Sequence, residues 1–176
     1  MGWLTGDRYM DHLAVIGAGG NLGDREGALR QGVRAVLQLP GTHALKISSI
    51  YETEPWGLAE QPPYLNLVFS LNTSLAPRSL LKALHFIEAS QGRVRRKRWG
   101  ARHLDLDLLL YDSLVSDTPE LTLPHPGMAQ RNFVLVPLRE IHPDLIDPSS
   151  GATIAQLCER CADDKAVNLL GSLSGF

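Results

Sequence analysis

Asp105 and Asp107 flank a single leucine in the run Leu104-Asp-Leu-Asp-Leu108. On a β-strand successive side chains alternate faces, so the two carboxylates share one face and the three leucines the other. Like charges about 7 Å apart along a strand repel, and a hard cation would reconcile them: magnesium takes one or two carboxylates and completes its shell with water and phosphate oxygens. Such a pair can also serve two metals about 3.5–4 Å apart in phosphoryl chemistry. The plain alternative is the solvated polar face of an edge strand. Immediately upstream, Arg93, Arg95, Arg96, Lys97, Arg98 and Arg102 fall within ten residues between glycines. Guanidinium forks match phosphate oxygens and stabilise charge on a transferring phosphoryl group, and Trp99 in the same run could stack on a flat ring or close over it. A basic run alone could equally be a solvated face or a nucleic-acid patch. Beside two carboxylates, it suits a nucleoside triphosphate with magnesium better than a polyanionic backbone.

A second cluster could hold an acceptor. Thr53, Pro55 and Trp56 precede Tyr64-Leu-Asn66, and Phe133 lies downstream. On a strand Tyr64 and Asn66 face the same way, an aromatic platform beside an amide that both donates and accepts. That pair suits a flat heterocycle with hydrogen-bonding edges, or a core tyrosine and a strand-end asparagine. His125, between two prolines, and Arg131 could add phosphate contacts. Gly17-Ala-Gly-Gly-Asn-Leu22 begins like a dinucleotide fingerprint, but Leu22 takes the place of the third glycine, and no phosphate-binding G-x-x-x-x-G-K-[ST] loop occurs.

The elements that must present these groups follow from patterning. His12–Ala18 reads as a strand, and Asp24 can cap a helix carrying Leu29, Val33, Val36 and Leu37. Strands follow over 45–53 and 64–73, separated by a proline-rich loop over 54–63. Pro77 opens a second helix through Leu80, Leu84 and Glu88, and 103–111 forms a fourth strand. Residues 119–132 read as loop, 133–141 as a short element and 154–162 as a late helix. The order βαββαβ predicts an α+β, ferredoxin-like sandwich. Its helices would cover one face of a mainly antiparallel four-stranded core sheet, with small C-terminal additions. A single domain is expected over 12–165, with a flexible extension over 1–11 and a tail over 166–176. At 176 residues with 44% apolar side chains the chain can bury one core. A net charge of -2 gives no general attraction to nucleic acid or an acidic membrane. No apolar run nears the ~20 residues of a membrane span and no secretory leader is present, so the cytoplasm is the expected location. Cys158-x-x-Cys161 falls in the late helix and reads as structural.

Taken together, several runs resemble the 6-hydroxymethyl-7,8-dihydropterin pyrophosphokinase family: Gly19–Asp24, Tyr51-Glu-Thr53, Gln61–Asn66, Glu88 with Gly92–Arg95, Arg98–Asp107, and Pro124-His-Pro126 with Arg131-Asn-Phe133. The resemblance spans about His12 to Pro143 and implies transfer of the β,γ-pyrophosphate of ATP to a pterin hydroxymethyl group, with AMP as the other product, in folate biosynthesis. It implies two Mg2+ ions on Asp105 and Asp107, and Arg93 and Arg102 on the transferring phosphates. Glu88, Arg95, Trp99, His125 and Arg131 would lie along ATP. Tyr64 and Phe133 would sandwich the pterin, Asn66 and Thr53 would read its edge, and Pro55 and Trp56 would belong to its closing loop. ATP and the pterin are the expected partners, with no nucleic acid or membrane, and a monomer is favoured. Two positions depart from the family pattern: Gly20 replaces a serine and Ala101 a proline. The rival readings are a nucleic-acid-binding module using the basic loop and a nucleotidyltransferase using the same carboxylates.

Overall fold

The computed structural model describes residues 11–55, 61–91 and 102–173. In chain order the elements are β1 (His12–Gly20), α1 (Arg25–Leu37), β2 (Thr42–Ile47), β3 (Ser49–Thr53), β4 (Tyr64–Thr73), α2 (Pro77–Ser90), β5 (Asp105–Tyr111), β6 (Ser116–Thr118), β7 (Leu121–Leu123), α3 (Asn132–Ile141), α4 (Ile154–Arg160) and β8 (Val167–Ser172). The main sheet runs β5-β1-β4-β3-β8, with β2 also paired to β4, and each of these pairs is antiparallel. β6 and β7 form a separate hairpin. Asp24 caps α1 by accepting the Gly27 N–H at 3.0 Å, and Pro77 opens α2 where its missing N–H costs nothing.

The sheet buries both faces. On one, Ala14, Ile16, Leu67, Phe69, Leu106 and Leu108 pack against Leu29 and Val33 of α1 and Leu80 and Leu84 of α2. On the other, Val15, Val68 and Leu109 pack against Val134 and Leu138 of α3 and Ile154 of α4. Helices therefore cover both faces, where the sequence reading expected one. The element over 133–141 is a helix despite Pro137 inside it.

Two further expectations change. The strand foreseen over 45–53 is two strands, because Ser48 interrupts the ladder: its N–H donates to Val68 O and its hydroxyl accepts the Val68 N–H, both at 2.9 Å. The segment foreseen as a tail is not outside the fold. Residues 167–172 form β8 and pair with β3 from Thr53 to Ser49. Of the extension expected over 1–11, residues 1–10 lie outside the described residues. Cys158 and Cys161 are free thiols at the end of α4, and burial pushes the Cys158 thiol up, away from reactivity.

Candidate active site

Antiparallel register sets out the site row by row. Gly19 of β1 lies between Asp105 of β5 and Asn66 of β4, and Gly17 lies between Asp107 and Val68. In the same way Asn66 faces Tyr51, and Tyr64 faces Thr53. All these side chains point to the face covered by α3. That helix begins only at Asn132, so the end of the sheet beyond it stays open. The result is a cavity with about 1020 Å³ of unfilled space, part of it open to solvent. Gly17 and Gly19 form its floor: a Cβ at Gly19 would stand 2.4 Å from Asn66 Oδ1. The glycines discounted as a dinucleotide fingerprint therefore have another use, keeping the floor low between the carboxylates and the amide.

Among the sequence-predicted residues, Thr53, Tyr64, Asn66, Arg102, Asp105, Asp107, His125, Arg131 and Phe133 line this one cavity. Asn66 donates its amide to Thr53 Oγ1 at 2.7 Å, which fixes which end of the amide meets a ligand. Arg102 Nη1 is in contact with Asp105 Oδ2. Among the described residues, the cation-capable side chain that closes on Asp107 is His125, with Nε2 3.8 Å from Asp107 Oδ1. Burial, and then the Asp105 charge, push the Asp107 carboxyl above its usual range. Burial pushes His125 down, so its ring is neutral near pH 7. His125 Nδ1 accepts the Gly127 N–H at 3.2 Å, which leaves the ring proton on Nε2, directed toward Asp107. Arg131 lies with its guanidinium carbon 5.8 Å from the Phe133 ring centroid, a cation–π distance, and against the bare Cα of Gly127.

Glu88 is not among the residues lining this cavity. Its carboxylate is buried under the sheet and accepts the Leu106 N–H at 2.8 Å, bracing the strand between the two aspartates. Pro55 is described but is not part of the lining. Trp56, Arg93, Arg95 and Trp99 lie outside the described residues, as does Ala101.

Asn21 is a junction that the sequence reading left without a role. Its N–H donates to Arg102 O and its Oδ1 accepts the Arg102 N–H, both at 2.9 Å. Its Nδ2 reaches Gln61 Oε1 and Pro62 O, each at 3.2 Å. One buried amide thus ties the β1–α1 turn to the loops before β4 and β5. Its polar type next to a glycine turn, inside the Gly19–Asp24 run that carries the family resemblance, was the available signal. Gly20 beside it has a packing reason: a Cβ there would lie 2.2 Å from the His103 carbonyl oxygen. Gly20→Ser, although it restores the residue of the family pattern, is expected to cost about 2 kcal/mol and lower the melting temperature by about 6 °C. A thermal melt checks this, and an unchanged midpoint would show that the two loops separate freely.

Comparison with known proteins agrees with this geometry. Residues 15–143 match the family model described as 7,8-dihydro-6-hydroxymethylpterin-pyrophosphokinase. The chain is 44% identical over 156 residues to the 2-amino-4-hydroxy-6-hydroxymethyldihydropteridine pyrophosphokinase of Haemophilus influenzae, covering 89% of this chain and 97% of that one. It is 40% identical over 163 residues to the Pseudomonas aeruginosa protein of the same name, covering 93% and 100%. Its fold resembles wild-type Plasmodium falciparum HPPK-DHPS with a TM-score of 0.67 at 13% identity, covering 85% of this chain and 44% of that longer one. This chain thus spans less than half of that Plasmodium chain. Family match, identity over nearly whole relatives, and a cavity that gathers the carboxylates, arginines and aromatic rings place the chain in the 6-hydroxymethyl-7,8-dihydropterin pyrophosphokinase family.

Proposed function

We propose that this cavity transfers pyrophosphate from ATP to 6-hydroxymethyl-7,8-dihydropterin, giving AMP and the pterin diphosphate. The observation that carries the reading is the shared register: Asp105 and Asp107 open onto the same floor as Tyr64 and Asn66, separated from them by two glycines. Tyr64 and Phe133 offer faces to a flat ring, and Asn66, oriented by Thr53, offers its edge hydrogen bonds. Arg102 and Arg131, at the rim, suit phosphate oxygens.

Magnesium fits the donor set. Among the described residues no group of three or more His, Cys, Asp or Glu could hold a metal alone. Two carboxylates on one strand face are what a cation shared between protein and triphosphate requires. The upward push on Asp107 marks a place where added positive charge would be favourable. Asp105 and Asp107 would hold two Mg2+ ions, which when bound neutralise phosphate charge and polarise the bridging oxygens. The chain's own residues do the rest. Asn66, Tyr64 and Phe133 hold the acceptor in one orientation. Arg102, pinned by Asn21, meets the transferring phosphates. No side chain in the lining is placed as an evident general base, so positioning and charge neutralisation carry the rate.

The order β5-β1-β4-β3, with α1 and α2 on one face, supports a ferredoxin-like core to which α3, α4 and β8 are added. No helix among the described residues is long and apolar enough to cross a membrane, in keeping with a cytoplasmic setting. The test is product analysis with magnesium, ATP and the reduced pterin. AMP and pterin diphosphate in equal amounts are expected; ADP, or pyrophosphate released into solution, would overturn the assignment.

A further inference from the structure

Arg131 and Phe133 both line the cavity, and the residue between them is held from far along the chain. The Asn132 N–H donates to Asp163 Oδ2 at 2.8 Å, and the Asn132 side-chain amide donates to the Asp163 carbonyl oxygen. Asp163 lies between α4 and β8, beyond the region matched to the family. Both flanking elements are anchored: α4 packs through Ile154 and Leu157 on the cluster that holds α3, and β8 is laddered to β3.

The start of α3 needs such help. Its N-cap position is Arg131, whose side chain makes no capping hydrogen bond, so the first amides lack the local acceptor that helices usually have. Pro137 has no N–H to give to the carbonyl of Phe133, four residues earlier. The turn that carries Phe133 is therefore short of bonds on both sides. Backbone angles change at this point as well, from extended at Arg131 (φ -133°, ψ 110°) to helical at Asn132, and that change aims the two flanking side chains into the cavity.

We propose that Asp163 is a positioning residue for the site, capping α3 from a distance so that Arg131 and Phe133 meet their ligands in a fixed orientation. This rests on the pyrophosphokinase reading for what those ligands are, but not for the grip itself. Asp163 itself is not among the residues lining the cavity.

The test uses the full chain. Asp163→Ala is expected to raise the KM for both ATP and the pterin about fivefold, the loss typical of a missing N-cap, with a smaller change in kcat. Binding of fluorescent 6-hydroxymethylpterin should weaken in step. Asp163→Asn, which keeps the backbone carbonyl and one side-chain acceptor, should return both constants to within about twofold of the parent. Hydrogen exchange at the Asn132 amide should accelerate in Asp163→Ala whether or not the protein turns over. A parent protein without pterin activity would remove the proposed function and leave the exchange result to decide the grip. Asp163→Ala with parental KM values, or a lowered melting temperature with those values intact, would reduce Asp163 to a structural part and overturn the proposal. Failure of Asp163→Asn to rescue would do the same.

Discussion

Asp107→Asn is expected to cut turnover by at least ~10³-fold while the melting temperature holds or rises. The two effects have one cause. Asp107 is half-buried beside a second carboxylate two residues along the same strand face, opposite a glycine that contributes no side chain. Among the described residues, the cation-capable side chain beside it is His125, which burial keeps neutral and which stands 3.8 Å away. Among the described residues the Asp107 charge is thus poorly balanced, and its carboxyl is pushed up accordingly. An asparagine fills the same volume without the repulsion, so the fold itself loses nothing. What disappears is the anionic oxygen that, on the proposed reading, shares a cation with the triphosphate. Asp105→Asn should behave differently, because Arg102 already contacts Asp105. That substitution should abolish turnover and also cost some stability, leaving the guanidinium without its carboxylate. Steady-state rates and thermal melts on both variants check the pair. A stability loss in Asp107→Asn matched by a proportionate activity loss would make Asp107 a fold residue and end its assignment as a ligand.

That carboxylate pair was legible because strand periodicity is local. Leu-Asp-Leu-Asp alternates in any register, and β5 presents it with the leucines buried and the acids in the cavity. Tyr64–Thr73 and the Pro77 helix start were legible for similar reasons: a β-rich run bounded by prolines, and a proline at a first helical position. The layer of helices over the second face was harder to read. Its clue was present in β4, where Leu67-Val-Phe-Ser-Leu71 does not alternate and is buried throughout, as strands covered on both sides are. α3 was obscured by Pro137, whose cost depends on packing against Val68 and Leu109 that no window of sequence contains. β8 is a six-residue run that exists as a strand only because β3 offers it an edge. The break at Ser48 depends on a hydroxyl that substitutes for a ladder bond across to Val68. The site shows the same division. Residue types announced the ligands, whereas Asn21, the Gly17–Gly19 floor and Asp163 matter through contacts 31 to 81 residues away in sequence.

Arg102→Ala is expected to lower kcat by about 10²–10³-fold and to change the pterin dissociation constant by less than about threefold. The backbone around Arg102 is fixed by the two bonds to Asn21, so the truncation removes a guanidinium without releasing the loop. Tyr64, Asn66 and Phe133 keep their places, since Asn66 is oriented by Thr53 and the start of α3 by Asp163. Acceptor binding should therefore survive. Arg102→Lys should recover only part of the rate, because an ammonium cannot match two phosphate oxygens at once. One consequence has the opposite sign. The Arg102 guanidinium contacts Asp105 and would compete with any cation for it. Removing it should tighten binding of Mn2+ in the absence of nucleotide, measured as loss of the free-ion electron paramagnetic resonance signal. Weaker manganese binding in Arg102→Ala would mean that the arginine orders Asp105 for the metal instead of contending with it. A pterin affinity that falls in step with kcat would move Arg102 from the transferring phosphates to the acceptor pocket.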